Sequence, residues 1–153
     1  MPNRGAFGVI LTLHIITAVF VIGPLAVATM TAPRLIRGGE AALVALRGTL
    51  RATRSYSIAS IIVVGLGFSI VTKGPFGTGR TVTDFWILAS VVLWAIAALL
   101  TYFVVAGSIK RAIAEIEGGR DARRLIGPIA GAGGLASLCW VAIVVLMVVK
   151  PGA

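Results

Sequence analysis

His14 is the only histidine in the 153-residue chain, and no other side chain in its long apolar stretches titrates near neutral pH. An imidazole there can bond a carbonyl or hydroxyl, ligate a haem iron or meet a quinone. Other chemistry is scarce. Cys139 is the single cysteine, which excludes a disulfide within the chain and reads as a small buried residue. Glu40, Asp84, Glu115, Glu117 and Asp121 all stand in loops or at edges, whereas proton-coupled export needs an acid within a span. One histidine, one cysteine and no buried carboxylate fall short of the three or four ligands of a metal site. The sequence carries no Ser/His/Asp set, phosphate loop or H-E-x-x-H motif, so no catalytic residue and no metal are expected.

Depth groups His14 with other residues. It lies about nine residues, or roughly 14 Å of helix, from one end of its apolar stretch, near the middle of a bilayer. Trp94, and Trp140 with Cys139 beside it, fall at about the same depth in later stretches. The structural reading makes His14 a neutral residue that bonds a carbonyl or the hydroxyl of Ser60, Ser90 or Thr17 and tightens a bundle. The functional reading makes it a haem ligand or a hydrogen-bond donor to a quinone. Haem would need an open position or a second axial ligand from Met30, Met147 or another copy of the chain. Both methionines lie at other depths. Tyr56, Trp86 and Tyr102 read as interfacial anchors.

The elements that position these residues follow from composition. The chain is 58% apolar and 12% charged, with a mean hydropathy of +1.03, which describes a membrane protein. Charges clump, leaving uncharged stretches at 5–33, 55–72, 85–109 and 125–149. About 20 apolar residues cross a hydrocarbon core as a helix. Because the runs are continuous rather than alternating, helices are expected and strands are not. The fold expected is an all-α, four-helix transmembrane bundle forming a single domain over 1–153, with spans at about 6–32, 55–72, 85–109 and 126–149. Arg4 before an apolar run and the small residues Ala26-Val27-Ala28 also match a signal peptide, but the run is longer than such a core and contains Gly23-Pro24.

Charge sets the expected orientation. The first loop carries Arg34, Arg37, Arg47, Arg51 and Arg54, and the third carries Lys110, Arg111, Arg120, Arg123 and Arg124; the other side has only Arg4, Lys73, Arg80 and Lys150. The positive-inside rule puts loops one and three in the cytoplasm and both termini outside, in a bacterial inner membrane. The net charge of +9 then belongs to juxtamembrane loops that meet anionic headgroups, not to nucleic-acid binding.

Within this plan, residues 40–54 place Leu43, Leu46 and Leu50 on one helical face and Arg47, Arg51 and Arg54 on the other. That predicts a short amphipathic helix in the membrane surface, docking lipid or a partner through its arginines. Loop three continues span three and stops at Gly118-Gly119. A shift of 80 residues aligns Leu13-His14 with Leu93-Trp94, Ile36 with Ile116 and Gly38-Gly39 with Gly118-Gly119. A parallel two-plus-two repeat has this form, although coincidence in a biased composition produces it too. Gly65, Gly127, Gly131 and Gly134 fall at small-residue spacings that suit helix packing, and Gly23-Pro24 predicts a kink.

Leu13-His14-Ile15-Ile16, Gly23-Pro24, Pro33-Arg34-Leu35 and the ending Trp140 to Pro151-Gly152 together resemble an uncharacterised family of small bacterial four-helix integral membrane proteins. The resemblance covers most of the chain and implies no activity. Helix one is also distantly similar to the opening of the bacterial membrane protoporphyrinogen oxidase and to copper-resistance membrane domains, but the later histidine-bearing patterns are missing and only His14 carries over. The leading expectation is a non-catalytic accessory or scaffold subunit, without cofactor, packed on a larger respiratory or transport assembly or on its own copies. The alternative is a haem- or quinone-handling redox protein centred on His14.

Overall fold

The computed structural model describes residues 4–71 and 83–150. Lys73, Arg80 and Pro151-Gly152 lie outside these residues. Helix α1 is Arg4–Arg37, α2 is Leu43–Val71, α3 is Phe85–Leu99, α4 is Ala106–Glu117 and α5 is Ile126–Val149. A π-helical segment, Leu100–Val105, joins α3 to α4, and 3-10 turns precede α2 and α5. No strand occurs among the described residues. Four continuous helical stretches are long and apolar enough to cross a membrane: Gly5–Arg37, Gly39–Val71, Phe85–Glu117 and Arg123–Val149. Their outer faces carry large apolar side chains such as Val19, Phe20, Ile62, Phe103, Leu138 and Val148, as lipid-facing helices require.

The stretches run past the uncharged windows because their inner stripes continue beyond the hydrocarbon. Val105, Ile109, Ala112, Ile113 and Ile116 recur at helical spacing and are buried against Ala32 and Ile36 of α1, Leu46 of α2 and Ile129 of α5. The same continuation corrects the expected surface helix. Residues 43–54 are helical, but they form the first part of α2 without a break. Leu46 is fully buried and Leu43 and Leu50 pack on this core, so the leucine face meets α1 and α4 in place of the acyl boundary. Pro24 and Pro33 lie inside an unbroken α1.

The helices form two hairpins, α1 with α2 and α3–α4 with α5, and α1 also packs on α5 while α2 packs on α4. The 80-residue shift holds in three dimensions. Val21, Leu25, Ala28, Thr29, Ala32 and Ile36 are buried, and so are their counterparts Thr101, Val105, Ser108, Ile109, Ala112 and Ile116. Gly39 and Gly119 both take positive φ, 61° and 69°, the left-handed conformation that ends a helix cheaply only at glycine. The π segment falls at the register of residues 20–25, where α1 carries Gly23-Pro24 within a continuous helix. These matches lie in the first helix of each hairpin and in the glycine pair that ends it; among the buried residues of α2 and α5 only Thr53 and Gly133 correspond.

Candidate functional site

His14 is 8% exposed and faces inward from α1. Its Nδ1 lies 2.9 Å from the Val63 carbonyl oxygen on α2. A carbonyl only accepts, so Nδ1 carries a proton and donates it, and in the neutral ring Nε2 keeps a lone pair. Gly67, one turn after Val63, makes room: a Cβ there would stand 3.2 Å from His14 Cε1. The expected alternative partner Ser60 is occupied. Its Oγ accepts the Trp94 indole N–H at 3.0 Å and donates to the Ser57 carbonyl at 2.6 Å. Ser90 donates to the Trp86 carbonyl at 2.7 Å.

These residues surround a cavity of about 440 Å³ lined by all four spans. Among the described residues His14 is its only ionisable lining residue; the rest are mostly Val, Ile, Phe, Trp and Met, with Ser90 the one hydroxyl. Trp94 and Trp140 share this wall with His14, while Cys139 is buried beside it with Ala97 and Ala136. Met147 also lines the cavity, and Met30 is exposed on α1. Trp86 departs from its expected role as an interfacial anchor. It is 7% exposed, packs with Val71 and Ile87, lines the cavity, and its indole N–H has no hydrogen-bond partner among the described residues. The Lys150 ammonium sits 6.0 Å from its ring centre. Trp86 opens the third span next to Asp84, which is the sequence position of an anchor, and only the fold turns it inward.

Helix contacts also differ from the glycine spacings. A Cβ at Gly65, Gly127, Gly131 or Gly134 would meet nothing within 4 Å, and all four residues are exposed. Close approach within the chain occurs at Gly67 and at Gly133, where a Cβ would stand 3.2 Å from Thr29 Cβ. The arginines of the first loop divide as well. Arg47 pairs with Glu117 of α4, Arg51 is exposed, and Arg54 is half-buried with an Nε that has no partner among the described residues. Arg124 pairs with Glu115.

Four apolar helices around a hollow with one polar anchor define a multi-pass integral membrane protein. The comparisons agree: a family model described as predicted integral membrane protein (DUF2269) matches residues 8–151, and the chain belongs to that family. No curated protein and no solved structure matches the chain.

Proposed function

We propose that the protein is a membrane-embedded binding protein that holds a lipid-soluble molecule, of the quinone or haem class, against His14. The observation that carries this reading is the cavity around His14, whose Nδ1–H is committed to Val63 while Nε2 stays free for an occupant. A hollow of this size lies within the roughly 300–1,000 Å³ of small-molecule sites. The role is holding rather than turnover, because no second ionisable group lines the space among the described residues. The orientation that fits is loops one and three in the cytoplasm of a bacterial cell, with Arg51 and Arg54 near anionic headgroups.

The test is purification in mild detergent, a visible spectrum, and mass spectrometry of the organic extract. A stoichiometric ring-bearing compound lost in His14→Ala supports the reading, and a strong visible band names haem as the occupant. A colourless protein whose extract matches the bulk lipid in both forms refutes it.

A second reading, an accessory subunit, is favoured by the outward face of Gly127, Gly131 and Gly134, which has open space where another helix would pack. It predicts stoichiometric co-purification of a larger membrane complex, lost in Gly131→Leu. Purification of the chain alone at native expression level would sink it.

A further inference from the structure

We infer that the cavity selects an amphiphile with a hydroxylated aromatic head, such as a hydroquinone or alkylphenol, whose hydroxyl donates to His14 Nε2 and whose chain leaves through a lateral slot between α1 and α5. The inference rests on the proposed binding function and names its ligand.

The polarity of His14 decides the head group. Because the Val63 carbonyl takes the Nδ1 proton, a neutral His14 offers the cavity an acceptor and no donor. A quinone, ketone or ester would bring an oxygen lone pair against a nitrogen lone pair. A hydroxyl brings the missing proton, so the site favours the reduced, hydroxyl-bearing member of a redox pair. The walls decide the rest of the head. All three tryptophans of the chain and Phe68 line the space, offering ring faces and edges to an aromatic ligand. Among the described residues no charged side chain lines it, so that lining offers a phosphate or carboxylate head no countercharge. The Trp86 N–H, without a partner among the described residues, is a donor for a second ligand oxygen, two helical turns along α3 from Trp94.

The route follows from which lining residues also face outward. Val19 of α1 is 63% exposed, and Val144 and Met147 of α5 are 62% and 36% exposed, yet all three line the cavity. On the opposite side, Val71 of α2 and Trp86 and Ile87 of α3 pack together and are buried. Helices α1 and α5 approach at Thr29 and Gly133. The hollow is therefore walled by buried residues where Val71 meets Trp86 and Ile87 and bordered by outward-facing residues on α1 and α5, the side where the slot is assigned. Its volume takes a substituted ring and the start of a chain, and the remaining chain extends through the slot.

The test uses the full chain in lipid nanodiscs, read by tryptophan fluorescence, since every tryptophan borders the site. The probes are para-decylphenol and para-decylanisole, which differ only by a methyl group on the oxygen. The expected result is phenol binding about tenfold tighter than anisole, the equivalent of one well-made hydrogen bond, with the difference reduced to about twofold or less in His14→Phe. Equal binding of both probes by the unmodified chain overturns the hydroxyl preference and leaves the binding function standing. A preference that survives His14→Phe overturns the role of Nε2. Should His14→Phe fail to fold, Val144→Trp at the lipid-facing slot is expected to weaken both probes at least tenfold without changing the melting temperature, and unaltered binding there overturns the route. A fluorescence response to neither probe overturns the inference and the binding function together.

Discussion

At the basic end of the bundle, Leu46, Val105, Ile109, Ala112 and Ile129 are fully buried against one another, and the charged loops are clasped by Arg47–Glu117 and Arg124–Glu115 pairs. At the end that carries the termini, Val63, Ile87, Ile143 and their neighbours wall a space of about 440 Å³. Both ends draw on the same apolar residue types and the same two hairpins, so composition does not explain the difference. Residue size and placement do. Branched aliphatic side chains fill the axis at the basic end, whereas Gly67 and Ala18 border the hollow and His14 is held back against α2 by its bond to Val63. Where packing is complete, the protein gains stability and has nothing to offer a ligand. Where packing stops, it places its one titratable intramembrane group.

The largest effect should come from breaking the solid end. Ile109→Ala removes a fully buried side chain from the centre of that cluster and should cost about 2–5 kcal/mol, seen as a lower melting temperature in detergent. Ile143→Ala, beside the existing hollow, should cost less than half as much. Equal losses would show that the hollow end is as tightly packed as the other.

Next is the contact where the two regions meet. Gly133→Val puts a branched side chain where even a Cβ would stand 3.2 Å from Thr29, and overpacking there should cost about 1–3 kcal/mol. Gly131→Val, two residues away with open space around it, should leave the melting temperature nearly unchanged. A melt that responds equally to both would place the α1–α5 approach elsewhere.

A smaller, more specific effect is expected at Gly67. The Cβ of Gly67→Ala would press on His14 Cε1 at 3.2 Å, so the ring must shift by a few tenths of an ångström and its bond to Val63 lengthens. Stability should fall by about 1 kcal/mol, the scale of one net hydrogen bond, while probe binding weakens severalfold. Binding that is unaltered in Gly67→Ala would separate the ligand site from His14.

Much of this was legible in the residues, and the failures share a cause. Four helices, the extension of span three to Gly118-Gly119 and the shared depth of His14, Trp94 and Trp140 follow from hydropathy and helical rise, which act along one chain. The 80-residue match was legible too, and in the first helix of each hairpin buried positions such as Leu25 and Val105 fall in register. Rotation about each helix axis was not legible. In water an apolar stripe marks the inner face, but in lipid both faces are apolar, so Trp86 read as an anchor, and spacing alone did not reveal that Gly65, Gly127, Gly131 and Gly134 face away from the helices of their own chain. The amphipathic pattern of residues 43–54 was correct in kind and misplaced in space, because a leucine stripe fits a neighbouring helix as well as an acyl boundary.

The smallest prediction concerns the clasp that closes the solid end. Arg47 and Glu117 join the start of α2 to the end of α4 with side chains 55% and 42% exposed, so water and salt screen their attraction. Glu117→Gln should therefore cost no more than about 1 kcal/mol, and the difference should vanish in roughly 1 M salt, where the screening length falls to about 3 Å. Because Leu46 and Ile116 remain buried underneath, the clasp adds to a contact that packing already holds. A loss several times larger, persisting at high salt, would mean that ion pairing and not the aliphatic cluster holds the two hairpins together at this end.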